Sequence, residues 1–418
     1  MPKALSVHPE PYRHHWTPAA KYDEIYTGWT YPPKDYAKWS ELVYQWARHA
    51  KERYGVGDVE RWYWETWNEP NIGYWHGTRQ EFYKLHDYAV AGVRRAIPNA
   101  QVGGPDTAGG GGYFSDFLEH CMRGTNAATG GVGTPLNFVS FHAKGAPEFV
   151  DGHVRMGPSA QLKTIEEAFR RIASFPKLKG TPVVIGESDP DACAACQGPN
   201  LGYRNDTMYA SYTAAVNARE LDLAAKHGVN LMGSLSWAFT FEDQPLFAGF
   251  RQLATGGIDL PVVNLFRMYS RMGGQRIAAS SSAEQPLDSI VANGVRNDPD
   301  VGVLASRKGK SIAVMVWRHR DDDVPGPNAK VDARVSGLGG TTVRVTEYRI
   351  DRSHSNAFTA WKAMGSPVNP TRQQHQELTR AGRLQISSPP HRIPVMSGVA
   401  TFETILPRSS VSLLIIEP

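Results

Sequence analysis

The run Trp62-Tyr63-Trp64-Glu65-Thr66-Trp67-Asn68-Glu69 reads as a short aromatic strand that ends on a carboxamide and a carboxylate. Aromatic and β-branched residues favour the pleated, half-buried surface of a sheet. Comparable apolar runs occur at 3–6, 101–104, 138–142, 182–187 and 231–237, which makes six candidate strands up to about residue 275. Helical patterns lie between them. Trp39, Leu42, Val43, Trp46, Ala47 and Ala50 mark one apolar face at the 3.6-residue period, and Phe82, Leu85, Ala89, Val93 and Ile97 mark another. Thr78 with Glu81 three residues on offers a capping box for the second helix. Further helices are predicted at 158–173, 205–227 and 261–272.

Strand and helix in alternation predict repeated βα units around a parallel sheet. The expected fold is α/β, a (β/α)8-type TIM barrel with six of its eight units in residues 1–275. On this reading two units lie upstream of Met1, the alternative being an open α/β sheet. Beyond residue 275 the texture changes to short β-branched runs at 301–306, 311–317, 342–350, 399–406 and 411–416, divided by Gly, Pro, Asp and Asn. Residues 276–418 are therefore predicted to form a C-terminal β-sandwich domain with almost no helix.

Composition narrows the function classes. Hydrophobic residues make up 41% of the 418 and charged residues 21%, ordinary globular usage. A net charge of +4, from 45 basic and 41 acidic residues, gives no footprint for a polyanion, so no nucleic-acid partner is expected. No stretch of about 18 or more apolar residues occurs, so no membrane partner is expected. Met1 to Ser6 has no basic, apolar and small-residue leader pattern, and a cytoplasmic location is the expectation that follows. Oligomeric state is not legible. Of three cysteines, Cys193 and Cys196 form a Cys-x-x-Cys pair without the second ligand pair that zinc needs. No metal is expected there, and a local disulfide and two loop thiols are both compatible with the spacing.

In a barrel, reactive side chains project from the C-terminal ends of the strands. Reading each strand to its end selects Asn68 and Glu69, His142 with Lys144 just beyond, Glu187, and Trp237 with Glu242 shortly after. A glutamate at a strand end is ordinarily a solvated charge. Glu69 and Glu187 differ because each closes a dense apolar run, where an unpaired carboxylate is expensive to bury without a role. Two carboxyl groups on one face suit retaining glycoside hydrolysis, one held protonated for the leaving oxygen and one ionised to attack the anomeric carbon. Asn68 is placed to hydrogen-bond a sugar 2-hydroxyl, and Trp237 to stack on a sugar ring. That chemistry needs no cofactor, and its partner is a small oligosaccharide substrate.

The run Trp64-Glu65-Thr66-Trp67-Asn68-Glu69-Pro70-Asn71 resembles the acid/base motif of the glycosidase clan that carries its acid/base after the fourth barrel strand and its nucleophile after the seventh. With Gln101-Val102-Gly103-Gly104-Pro105, Phe138-Val139-Ser140-Phe141-His142-Ala143 and the Trp237 strand, the chain resembles glycoside hydrolase family 39, which contains β-xylosidases and α-L-iduronidases. Ala357-Phe358-Thr359-Ala360-Trp361-Lys362-Ala363-Met364-Gly365 and Pro370-Thr371-Arg372-Gln373 are similar to a segment of the C-terminal β-domain of bacterial β-xylosidases. The resemblance implies that Glu69 is the acid/base, Glu187 the nucleophile, Asn68 and His142 sugar contacts and Trp237 a subsite residue. It also implies that the first two βα units are absent. Ala143-Lys144-Gly145 after His142 and Ser188-Asp189-Pro190 after Glu187 lean toward the iduronidase branch, where the residue matching Lys144 contacts the sugar carboxylate. A β-xylosidase is the leading expectation, a uronide-acting enzyme the alternative, and a non-catalytic carbohydrate-binding remnant the third.

Overall fold

Five of the expected strands form one parallel sheet in the computed structural model, which describes residues 30–418. They are β1 (Tyr63–Glu65), β2 (Gln101–Ala108), β3 (Phe138–Lys144), β4 (Pro182–Asp189) and β5 (Asn230–Ser234), side by side in sequence order. Tyr63 pairs with Gln101, Gly103 with Phe138 and Pro182 with Asn230. Among the described residues the sheet is open. The strand expected at 3–6 lies outside the described residues.

The longer helices up to residue 275 are α1 (Tyr36–Tyr54), α2 (Arg79–Ala96), α3 (Gly112–Arg123), α4 (Pro158–Ala173), α5 (Thr207–His227) and α6 (Pro261–Arg271). Asp35 caps α1 by accepting from the amides of Ala37 and Lys38, and Gly55 ends it at a φ of 85°. The predicted box at Thr78 and Glu81 is formed at the start of α2, satisfying two amides that the first turn leaves unpaired. Val43, Ala47 and Ala50 of α1 and Ala89, Val90 and Val93 of α2 pack with Trp64 and Val102 of the sheet. Gly92 lets the two helices close up, since a Cβ there would sit 2.5 Å from the Ser40 carbonyl oxygen. Leu42, expected on this face, is 58% exposed. At about 100° per residue it lies at the edge of the stripe that Val43 and Ala50 centre, and the sheet does not reach it.

The described residues fall into two compact units. One takes the chain through Lys144 together with Thr164–Ser188 and Leu221–Ser236. The other holds Gly145–Lys163, Asp189–Glu220 and Trp237–Pro418. In the second unit an antiparallel sheet is built from β6 (Gln275–Ile277), β7 (Asp300–Lys308), β8 (Ser311–His319), β10 (Thr342–Ile350), β11 (Gln385–Ile386), β12 (His391–Pro394) and β14 (Ser410–Glu417). The pair β9 (Ala329–Ser336) and β13 (Val399–Leu406) covers one of its faces, with Val314, Val316, Val345 and Leu414 against Ala400, Phe402 and Leu406.

The expectation of almost no helix after residue 275 is corrected by three short helices, Leu287–Asn293, Ala357–Ala363 and Arg372–Gly382. The last carries a capping box, Thr371 with Gln374, whose first turn is otherwise polar and so gave little periodic signal. Helix α3 was likewise hidden, behind the glycine run at 109–112 that reads as loop. Among the described residues no helix is long and apolar enough to cross a membrane.

Candidate active site

Strand β1 is shorter than its aromatic run, ending at Glu65. Alternation sends Trp64 outward to the helices, its indole donating to the Val59 carbonyl at 3.0 Å, while Tyr63 stacks on Phe138 at 4.5 Å. The chain then turns sharply. Glu69 sits at a φ of 49°, a left-handed conformation that costs a side-chain-bearing residue energy and clusters at functional sites. Two ties hold this turn to β2: the Glu69 amide donates to the Asp106 carbonyl at 2.9 Å, and the Asn71 carboxamide exchanges bonds of 3.0 and 2.8 Å with Ala108. Asn68 is the half-buried residue just before Glu69.

From β3, the His142 ring reaches Glu69 Oε1 through Nδ1 at 2.8 Å and Asp106 Oδ1 through Nε2 at 2.9 Å. Glu187, on β4, is buried with Oε2 at 3.6 Å from His142 Nδ1 and 2.9 Å from Lys144 Nζ. One oxygen of Glu69 and one of Glu187 lie within 4.8 Å of each other and of the imidazole. Four residues read from strand ends are thus brought together: Glu69, His142, Lys144 and Glu187. The three donor atoms are close enough for a cation, but the Lys144 ammonium already lies on Glu187, and a protonated imidazole has no lone pair to offer a metal.

Protonation of His142 follows from its neighbours. Burial alone would push the imidazolium down, yet Asp106, by charge and by hydrogen bonding, with Glu69 and Glu187, overrides burial and lifts it to about 9. Behind it, Glu65 is half-buried on β1 and hydrogen-bonded to Ser140 Oγ. Burial first, and repulsion from Asp106 second, raise its carboxyl to about 8. Both groups therefore hold protons more tightly folded than unfolded, so the stability they contribute is greatest in acid and is lost as pH rises. For Glu65 the loss runs from 4.5 to about 8, and for His142 from 6.5 to about 9. The unfolding free energy is expected to fall through this range, the His142 part amounting to about 3 kcal/mol at 1.36 kcal/mol per unit. Urea denaturation from pH 6 to 10 checks it: a flat profile, or an equal fall in His142→Asn, contradicts the assignment.

Asp106, Glu65 and Ser140 were not selected from the sequence. The available signal was Gly103-Gly104-Pro105 inside a strand, where such residues mark a bulge. Trp237 and Glu242 belong to the second unit. The run at 231–237 stops being strand at Ser234, so Trp237 lies in a loop, its amide donating to both Asp189 oxygens at 3.2 Å. The Arg251 guanidinium sits 5.6 Å from its ring centroid and pairs with Asp189 and Asp191. Glu242 is exposed. In the same unit Cys193 and Cys196 form a disulfide, and Arg204 ties the loop by donating to the carbonyls of both and to the Asp191 carboxylate.

A family model described as glycosyl hydrolases family 39 matches residues 16–396. The chain belongs to glycosyl hydrolase family 39. Among curated relatives, a β-xylosidase of Caldicellulosiruptor saccharolyticus is 26% identical over 412 residues, covering 93% of this chain and 75% of the relative. An α-L-iduronidase of Mus musculus is 28% identical over 379 residues, covering 82% of this chain and 56% of the relative. A solved bacterial orthologue of human α-L-iduronidase superposes with a TM-score of 0.77 at 20% identity, over 92% of this chain and 66% of that one. The family 39 fold is a TIM barrel followed by a C-terminal β domain, and the parallel βα units and β-sheet domain described above are this chain's version of it. The chain spans three quarters of the xylosidase and little more than half of the iduronidase.

Proposed function

We propose that this family 39 glycoside hydrolase is a retaining exo-acting β-xylosidase, with Glu187 as nucleophile and Glu69 as acid/base. The observation that carries the mechanism is the spacing of the two carboxylates, an oxygen of each within 4.8 Å of the other. Retaining enzymes hold the two carboxyl groups about 5–5.5 Å apart, whereas inverting enzymes hold them about 6.5–9.5 Å apart to admit a water, and so close an approach of oxygens from Glu69 and Glu187 supports the shorter spacing. Glu187 attacks the anomeric carbon while Glu69 gives its proton to the departing glycosidic oxygen, forming a glycosyl ester. Glu69, now a base, takes a proton from the water that cleaves that ester, and the sugar leaves with its configuration retained. Asn68, beside the acid, is assigned to the sugar 2-hydroxyl. The β-xylosidase relative and the xylosidase-like segment from Ala357 to Gly365 support the choice of substrate.

Lys144 favours a second reading. A lysine ammonium beside the nucleophile is a group that a uronide carboxylate could recruit, and iduronidases are among the relatives. Its engagement with Glu187 at 2.9 Å ranks that reading second. Release of nitrophenol from β-xyloside, β-glucuronide and α-iduronide substrates by the folded protein separates the two. Xyloside turnover is expected to dominate; turnover confined to a uronide overturns the first reading, and turnover of none overturns both.

A further inference from the structure

Strand β2 carries one residue more than its partner. Pairing with β3 runs Gly103–Phe138, Gly104–Val139 and Pro105–Ser140, then resumes at Thr107–Phe141, so Asp106 is the extra residue. Its φ is 52°, in the left-handed region. A bulge of this kind re-aims a side chain, and bulges gather beside active sites. Here the carboxylate swings to His142 Nε2 at 2.9 Å and lies over Gly186, where a Cβ would overlap it. The backbone of the same residue is used twice: its carbonyl takes the Glu69 amide at 2.9 Å, and its amide donates to Ser140 Oγ at 3.1 Å.

We propose that Asp106 is a positioning residue for the acid/base, holding His142 as an imidazolium whose Nδ1–H fixes one oxygen of Glu69. The proposal rests on the reading of Glu69 as the acid/base. A neutral imidazole has one N–H and would turn a lone pair toward one of the two carboxylates that flank it; with both nitrogens protonated it donates to Glu69 through Nδ1 and forms an ion-pair contact with Asp106 through Nε2. Oε1 of Glu69 is then occupied by Nδ1–H, which leaves Oε2 to carry and deliver the catalytic proton. The groups facing the imidazole are Asp106 from β2, Glu69 from the turn after β1 and Glu187 from β4, with Lys144 on Glu187 and Glu65 behind Ser140. These titrate as a cluster, and removing one negative charge lowers the proton affinity of the cluster as a whole.

Asp106→Asn keeps the shape and removes the charge. Its alkaline limb of kcat/KM is expected to move to lower pH by about one unit or more. At neutral pH kcat falls about tenfold while KM stays within about twofold. A pH profile that superimposes on the wild type, or a loss equal at every pH, overturns the proposal. If Asp106→Asn does not fold, 15N NMR of the wild-type imidazole at neutral pH decides, with His142→Gln identifying the signal. Two protonated nitrogens support the assignment, and a single neutral tautomer overturns it. The NMR readout needs no substrate, so it stands whichever way the glycosidase reading is settled.

Discussion

Replacing Glu187 by alanine is expected to lower kcat on a nitrophenyl xyloside by about 10⁴-fold or more, because the covalent half of the reaction loses its attacking group. The protein should remain folded, since Glu187 stands at the end of a strand whose core contacts come from Val183 and Ile185. Azide then offers a diagnostic repair. It enters the space left by the carboxylate, attacks from the same side, and has no glycosyl ester to follow, so the product is a glycosyl azide of inverted configuration. Product configuration, read by NMR, identifies the role and not merely the importance of the residue. An azide product of retained configuration would exchange the roles assigned to Glu187 and Glu69. Activity of Glu187→Ala near that of the wild type would remove the nucleophile assignment altogether.

The parallel strands and the two glutamates were legible for the same reason. Each strand is a dense apolar run, and a carboxylate that closes such a run must be solvated, paired or functional. His142 and Lys144 followed because they end the strand that lies between β2 and β4. Asp106 did not follow, since its role depends on a one-residue bulge, and a bulge alters register without altering composition. Nor did the charge state of His142, which is set by groups contributed from two other strands and a turn. The Cys193–Cys196 bridge was open from spacing alone and is closed by a loop that Arg204 gathers around it. Trp237 shows the opposite failure. Its run is apolar enough to extend β5, but the strand stops at Ser234 and the Trp237 amide is bound by Asp189, two residues past Glu187 in sequence.

Replacing Glu69 by alanine should separate the two halves of the reaction. With xylobiose the leaving group is a sugar hydroxyl that must receive a proton as it departs, and loss of the general acid is expected to cost about 10²–10⁴-fold in kcat/KM. A dinitrophenyl xyloside needs no such help, because its phenolate leaves as an anion. For that substrate kcat/KM, which reports formation of the glycosyl ester, should stay close to the wild type. The second step still needs a base, so kcat falls and the ester accumulates, which lowers KM. Azide at this variant acts after the ester has formed. It replaces water as the second nucleophile without requiring a base, raises kcat, and gives a glycosyl azide of retained configuration. The opposite stereochemistry from the two alanine variants is the sharpest consequence of placing one carboxylate on each side of the scissile bond. Equal losses on xylobiose and on the dinitrophenyl xyloside, with no response to azide, would show that Glu69 supports the site through His142 and Asp106 without handling the proton itself.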